Sequence, residues 1–383
     1  MSDRTLKVLI IPGWFPGALD RNTGDFILKQ AKDLAKSADM QVLIAHAELS
    51  YRFWNRPKYW LRKRTFEEQD GITIYRYTGL SLPRVKYRIF HLWRNQILTF
   101  INSIIDEIGE PDVIHAHTFL GGFIAAGIKA KRPHIPVVVT EHSDLLFGVP
   151  QRYKKIVVDA YEKADRVIAP SQALAHQIDK WRGGTPLMRI PMSVDEKYFY
   201  LPFHRRKIVQ PIQLITVSEL VPVKNVALQI EVLDDLIQSQ YPAELTIVGD
   251  GPSYISLHRL AKEHDVLSYV HFKGWKEPHD VANLLRASDI YLSTSRRETF
   301  GLSILEALSC GIPVVSTRSG GPEDMISDRN GLLVDSDRRS LSHAIRRVVE
   351  KIEINPTYPF TDADLYSWES VAKRLYILYT DLQ

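Results

Sequence analysis

The chain has 383 residues, 45% of them apolar and 25% charged, with a formal net charge of +4. That length exceeds one core and leaves room for two domains of roughly 150–200 residues each, while so small a charge excludes a nucleic-acid binder unless basic residues gather locally. The single cysteine, Cys310, excludes an intrachain disulfide and fits a reducing compartment.

Leu6 to Ile11 is a continuous apolar strand that runs straight into Pro12-Gly13, so the start reads as a first strand with no signal peptide. Thr23-Gly24-Asp25 then opens an amphipathic helix from Phe26 to Lys36. Strand signals recur at Gln41 to Ala45, Ile72 to Tyr77, Val113 to His115, Val137 to Thr140 and Val167 to Ala169, mostly with helical segments between them. Such alternation predicts an α/β fold with a parallel sheet and helices on both faces. From Pro191 to Gln210 the chain carries prolines and the basic Lys197, Arg205, Arg206 and Lys207 with little periodicity, which suits a linker. A second strand series follows at Gln213 to Val217, Leu245 to Val248, Val270 to Phe272, Ile290 to Leu292, Val314 to Ser316 and Leu332 to Val334. The expected domains are therefore 1–200 and 201–364. Beyond them Leu365, Trp368, Val371, Leu375 and Leu378 recur at helical spacing, and a helix this apolar needs a surface to cover.

Within the second series, Ser293 to Gly321 reads as strand, loop, helix and strand, with Glu298 and Glu306 seven residues apart across a Gly-led helix start. In open α/β sheets ligands bind beyond the carboxyl ends of the strands, where helix N-termini offer free N–H groups to phosphate. Glu306 lies beside Leu305, Ala307 and Leu308, where a carboxylate without a partner is costly. Cys310, next to Gly311 and Pro313, reads as core filler. His115 and His117 alternate on one strand with no third ligand after them, so they read as structural or cleft-lining residues. Two Asp-x-Asp matches, at Asp335 and Asp337 and at Asp362 and Asp364, precede helices where Asp serves as an N-cap, and no metal is expected.

Tyr51 to Arg64 packs six basic residues among five aromatics, and Arg84 to Arg94 repeats the mixture with Lys86, Arg88, Phe90 and Trp93. Basic side chains with interfacial aromatics suit an anionic membrane surface, and the alternative is a solvated helix and loop whose aromatics pack on the domain. No stretch approaches the roughly 20 apolar residues of a membrane span, so the expected location is cytoplasmic, with peripheral docking on the inner face of a membrane.

The ordered set ETFGLSILE (Glu298 to Glu306), ALSCGIPVV, NGLLV from Asn330, TIVGDGP (Thr246 to Pro252), FKGW (Phe272 to Trp275), LVPVKN (Leu220 to Asn225) and the closing YSWESVAKRLYILY resembles the retaining glycosyltransferases of family 4, which have the GT-B fold. The resemblance covers nearly the whole chain. It implies two Rossmann-like domains facing across a cleft, and a last helix, residues 365–383, that returns to the N-terminal, acceptor-binding domain. It also implies a nucleotide-diphosphate sugar as donor, no cofactor, and a saccharide or lipid-linked acceptor in polysaccharide or glycolipid synthesis.

By the same resemblance Glu298 touches the donor sugar, Glu306 the ribose hydroxyls, Lys224 the departing diphosphate, and His142, at a strand end, the sugar or phosphate. Phe300, Gly301, Leu302 and Ser303 open the phosphate-binding helix, and Ser218, Gly249, Lys273, Gly274 and Trp275 line the donor pocket. Gly13 and Gly24 face the diphosphate, while Asn22, Thr23 and Glu141 serve the acceptor. One departure stands out: the family commonly has Arg five residues before the Lys, and this chain has Glu219, so Arg296 or Arg297 is expected to stand in. Three alternatives remain. An NAD-dependent oxidoreductase lacks its G-x-G-x-x-G run; a nucleotide-sugar epimerase needs no acceptor, and Glu219 keeps a non-catalytic binding module open.

Overall fold

The computed structural model describes residues 5–17, 24–36, 39–50, 63–81, 87–202, 208–355, 359 and 363–383. The chain divides into two compact units, one of Met1–Pro191 with Trp368–Gln383 and one of Met192–Ser367. The first division falls earlier than the expected boundary near residue 200, because Val194 and Phe199 are buried in the core of the second unit.

The first unit runs β1 (Leu6–Pro12), α1 (Asp25–Ala35), β2 (Met40–Ser50), β3 (Lys63–Gln69), β4 (Ile72–Leu80), α2 (Tyr87–Ile108), β5 (Val113–His117), α3 (Thr118–Lys129), β6 (Val137–Thr140), α4 (Lys154–Glu162), β7 (Arg166–Ala169), α5 (Gln172–Ile178) and β8 (Leu187–Arg189). Its sheet has the order β3-β4-β2-β1-β5-β6-β7-β8. All of its pairings are parallel except β3 with β4, which is antiparallel. Strands buried on both faces read as unbroken apolar runs. In β1, Leu9 and Ile11 enter the layer under α2 and α3, while Val8 and Ile10 enter the layer with α1.

The second unit runs β9 (Ile212–Val217), α6 (Val226–Gln238), β10 (Ala243–Val248), α7 (Tyr254–Glu263), β11 (Val270–Gly274), α8 (Pro278–Arg286), β12 (Ile290–Ser293), α9 (Leu302–Ser309), β13 (Val314–Thr317), β14 (Gly331–Val334) and α10 (Arg338–Ile354). Its sheet is parallel throughout, in the order β11-β10-β9-β12-β13-β14, which is the doubly wound order of a dinucleotide-type fold. The final helix, α11 (Trp368–Thr380), belongs to the first unit, where Val371, Leu375, Leu378 and Tyr379 join the α1 layer. That is the surface its apolar stripe needed.

Two strands escaped the sequence reading. β3, KRTFEEQ, is exposed along its whole length and has no apolar face, as suits a charged sheet edge; β8 has only three residues. Of the basic-aromatic segments, residues 51–62 and 82–86 lie outside the described residues. Phe90 and Trp93 are in the core of the first unit, and Arg94 lies 4.4 Å over the Phe123 ring, so these two aromatics pack on the domain and do not face a membrane. Among the described residues no helix is long and apolar enough to cross a membrane.

Candidate active-site residues

In the second unit the chain order reverses between β9 and β12, and ligand crevices in such sheets open there. After β9 the backbone turns at Ser218 and passes through a single turn, Pro222–Lys224, to Asn225, whose left-handed φ of 52° starts α6. After β12 the loop is stitched on both sides. Thr294 donates its hydroxyl to the Asn225 carbonyl at 2.9 Å, and the Arg296 N–H reaches the Val223 carbonyl at 2.8 Å. Thr317 donates to the Ser295 carbonyl at 2.8 Å, and Glu298 bonds through its backbone to Ser319 and Gly321 at 2.8 and 2.9 Å. A loop held at so many points positions its side chains with little freedom.

The result is an ion pair: Lys224 Nζ lies 2.5 Å from Glu298 Oε2, with the two side chains 25% and 15% exposed. Ser295 Oγ approaches the same oxygen at 3.4 Å. The Glu298 Cγ also lies beside Gly301, 3.4 Å from where a Cβ would sit, so the pair stands next to the first turn of α9. There the N–H groups of Leu302 and Ser303 have no partner inside the helix and the dipole favours an anion. Tyr291, buried in β12, bonds the Val217 carbonyl at 3.1 Å and Ser303 Oγ at 2.8 Å, tying the end of β9 to the start of α9. Burial, more than its hydrogen bonds offset, pushes the Tyr291 hydroxyl above the usual tyrosine range, so it stays protonated.

Other expected donor residues are placed as follows. Glu306 is half-buried on α9, whereas Phe300 is a core residue and offers only its backbone to a ligand. Gly249 ends β10 at φ 128°, and a Cβ there would lie 1.9 Å from the Ser218 carbonyl, so glycine is required for β9 and β10 to end side by side. Gly274 ends β11, next to the exposed Lys273 and to Trp275, which is half exposed. The side chains of Glu219, Arg296 and Arg297 are all exposed. The hydroxyls of Ser218 and Ser319 are buried without a partner among the described residues. Asp337 accepts the Ser340 N–H at 2.9 Å as the N-cap of α10, and the Asp362 and Asp364 side chains lie outside the described residues. Cys310 is buried, and desolvation pushes its thiol up to about 11.

In the first unit the order reverses between β1 and β5. Gly13 donates its N–H to the His117 carbonyl at 2.9 Å, and a Cβ on it would lie 2.1 Å from Thr118 Oγ1. Thr118 itself has φ 62°, an uncommon conformation for a β-branched residue and one that concentrates at functional sites. The next anion is already in place: Glu141 accepts the Phe119 N–H at 2.8 Å at the start of α3, with the His142 and Ser143 N–H groups at 2.8 and 2.7 Å and the Tyr161 hydroxyl at 2.5 Å. It has no exposed surface, and burial raises its carboxyl above the ordinary range. Glu141 therefore holds loops together, and offers no accessible oxygen to an acceptor. Gly24 is the N-cap of α1, while Asn22 and Thr23 lie outside the described residues.

His142 follows β6 and is nearly buried. Its Nε2 lies 3.0 Å from His117 Nδ1. His115 bonds Thr140 Oγ1 through Nε2 at 2.7 Å and the Tyr379 hydroxyl through Nδ1 at 2.6 Å. Desolvation lowers His115 and His142 to about 3, and His117 well below its ordinary range. All three are neutral at pH 7. Among the described residues no group of three or more His, Cys, Asp or Glu is arranged to hold a metal.

Sequence reasoning missed Gln229, Thr294, Thr118 and Tyr161. Gln229 had a signal: it occupies the stripe of Val226, Leu233 and Leu236 on α6, a polar residue at a core position. Its amide donates to Thr294 Oγ1 and to the Leu292 carbonyl at 3.0 and 3.3 Å.

Residues 202–355 match the family model described as Glycosyl transferases group 1, and residues 42–198 match that described as Glycosyltransferase Family 4. The chain is 29% identical over 276 residues to a subunit of the phosphatidylinositol N-acetylglucosaminyltransferase of Arabidopsis thaliana, covering 70% of this chain and 61% of that protein. For the Homo sapiens protein of the same name the identity is 30%, covering 70% and 57%. The chain thus spans about three fifths of the length of these relatives. Among solved structures, a sucrose-phosphate synthase from Thermosynechococcus elongatus superposes with a TM-score of 0.76 at 20% identity, covering 99% of both chains. Anabaena HepE in complex with UDP and glucose gives 0.72 at 18% identity, covering 98% of this chain and 100% of that one. Together with the two doubly wound sheets, parallel but for the β3 edge, these matches establish that the chain belongs to glycosyltransferase family 4 and has the GT-B type of fold.

Proposed function

We propose that the protein transfers a hexose-type sugar, with retention, from a nucleotide-diphosphate sugar to a saccharide or lipid-linked acceptor in glycolipid or polysaccharide synthesis. The observation that carries this reading is the Lys224–Glu298 pair beside the N-terminus of α9. A cation and a helix start stabilise negative charge as it develops on a departing diphosphate. With donor bound, Lys224 turns from Glu298 to the diphosphate, and Glu298 is freed for the sugar hydroxyls. Glu306 accepts hydrogen bonds from the ribose diol, for which a carboxylate's two oxygens are suited. Trp275 offers an exposed ring for a base to stack on.

In the transfer step the bond from the anomeric carbon to the phosphate oxygen breaks, and a bond to the acceptor oxygen forms on the same face. The acceptor proton passes to the leaving diphosphate oxygen. The reaction needs no cofactor in this reading, and Lys224 supplies the positive charge that a metal would otherwise bring. The acceptor reading leans on two of the relatives, whose names refer to phosphatidylinositol. Peripheral docking on an anionic inner membrane face would use the exposed basic side chains of the first unit, such as Arg88; liposome co-sedimentation at low salt tests it, and no binding removes it.

A thermal-shift panel of UDP-N-acetylglucosamine, GDP-mannose, UDP-glucose and ADP-glucose tests the donor reading, since stabilisation follows affinity. One donor should raise Tm in the wild type and leave Lys224→Ala unmoved. If no member of the panel shifts Tm and none is hydrolysed or transferred, the proposal fails.

A further inference from the structure

We infer that His117 is a positioning residue for His142: its Nδ1–H donates to His142 Nε2 and holds His142 in the form that carries its proton on Nδ1. The inference deepens the function proposed above and rests on His142 as a substrate contact.

A neutral imidazole has one N–H and one bare nitrogen. The 3.0 Å bond between His117 Nδ1 and His142 Nε2 consumes one of each. One N–H and one bare nitrogen remain, to be shared between His117 Nε2 and His142 Nδ1, and both of these atoms are buried without a partner among the described residues. A buried N–H without an acceptor is rarer than an under-used acceptor. His117 has no exposed surface, whereas His142 retains 9%. Both nitrogens are themselves enclosed, so the leftover N–H is assigned to His142, the residue that keeps some exposed surface, and the bare nitrogen to His117.

The surroundings hold this arrangement. The His115 ring packs 4.4 Å from the His117 ring, and both nitrogens of His115 are already taken, by Thr140 and Tyr379. The carbonyl of His117 accepts from Gly13. Phe26 packs 4.7 Å from the His142 ring. His142 thus keeps its proton on Nδ1, an enclosed N–H with no partner among the described residues, which a hydroxyl or phosphate oxygen of a substrate would satisfy on reaching it. It does not serve as a base.

The test uses the full chain with ring-15N histidine. Two-bond 1H–15N spectra should show His142 of the wild type as the Nδ1–H form at neutral pH. His117→Asn, whose amide can offer an N–H near the Nδ1 position, should preserve that form. His117→Leu should let His142 populate both forms and lower kcat/KM about tenfold, the loss of one net hydrogen bond, with UDP-N-acetylglucosamine or GDP-mannose, whichever the donor panel selects. An Nε2–H form in the wild type overturns the inference, as does a tautomer untouched by His117→Leu. If the leucine variant does not fold, the wild-type and asparagine spectra decide. Full transfer by His142→Leu would instead remove the catalytic reading of His142, and the wild-type spectrum would still report whether His117 donates.

Discussion

At the strand ends of the first unit, His115, His117, His142 and Glu141 are buried, and desolvation holds all three imidazoles neutral. At the strand ends of the second unit, Lys224 and Glu298 keep 25% and 15% of their side chains exposed and form an ion pair. Both places are switch points of parallel sheets with a helix starting behind them. The topology supplies the location, but water access sets the chemistry: a neutral, directional hydrogen-bonding chain in one unit and a part-exposed ion pair in the other. At α3 the helix N-terminus is already filled by Glu141, while at α9 the Glu298 Cγ stands 3.4 Å from where a Cβ on Gly301 would sit.

The contrast should be widest in acid. Burial lowers His46, His115 and His142 to about 3 in the fold and His117 well below its ordinary range, against about 6.5 in the unfolded chain. Between those values the unfolded state binds more protons, so stability falls as pH drops through the window from about 6.5 toward about 3, by roughly 1 kcal/mol per pH unit for each histidine. Glu141, raised in the fold, works weakly in the opposite direction, its contribution fading as pH rises above the ordinary carboxyl range. Among the described residues no histidine of the second unit is buried. Hydrogen exchange at pH 7.5 and pH 5 should show core protection lost in the first unit and retained in the second; equal losses would erase the comparison.

Lys224→Ala comes next. It should cut kcat/KM by about 10²–10³, the effect of removing one charge-stabilising group, with Tm nearly unchanged because the pair is part-exposed. A large drop in Tm with activity preserved would make the pair structural. For the backbone, Gly249→Ala should cost about 2 kcal/mol or more by urea unfolding, and Gly13→Ala less. The reason is that a Cβ on Gly249 meets the Ser218 backbone carbonyl at φ 128°, whereas on Gly13 the nearest atom is the Thr118 side-chain oxygen. The smallest effect expected is for Tyr379→Phe, about 1 kcal/mol, since it leaves His115 Nδ1 without its buried partner. A neutral result there would mean that the C-terminal helix is held by its apolar stripe alone.

Much of the fold was legible because parallel strands buried on both faces leave apolar runs that need no context. The strand at Val137 to Thr140 and the helix beginning at Leu302 fall where the apolar pattern puts them. β3 was not legible, since an exposed charged edge strand forms by pairing with β4 and carries no pattern of its own. In the same way Phe90 and Trp93 look alike in sequence whether they face lipid or a core, and only packing against the sheet assigns them to the core. Glu141 looked like a cleft residue for the same reason.

The sequence alone was enough to determine two α/β halves, the carboxylates of the Glu298 to Glu306 segment and the apolar final helix, because each is written in local spacing or in a run of neighbouring residues, whereas Lys224 was singled out by the resemblance. Only the tertiary structure decided that Lys224 meets Glu298 across 74 residues of chain, that Tyr379 reaches His115 across 264, and that His117 and His142 share a bond. Hydrogen bonds and ion pairs are made between atoms a few ångströms apart, and that proximity arises when strands from distant parts of the chain are laid side by side in a sheet.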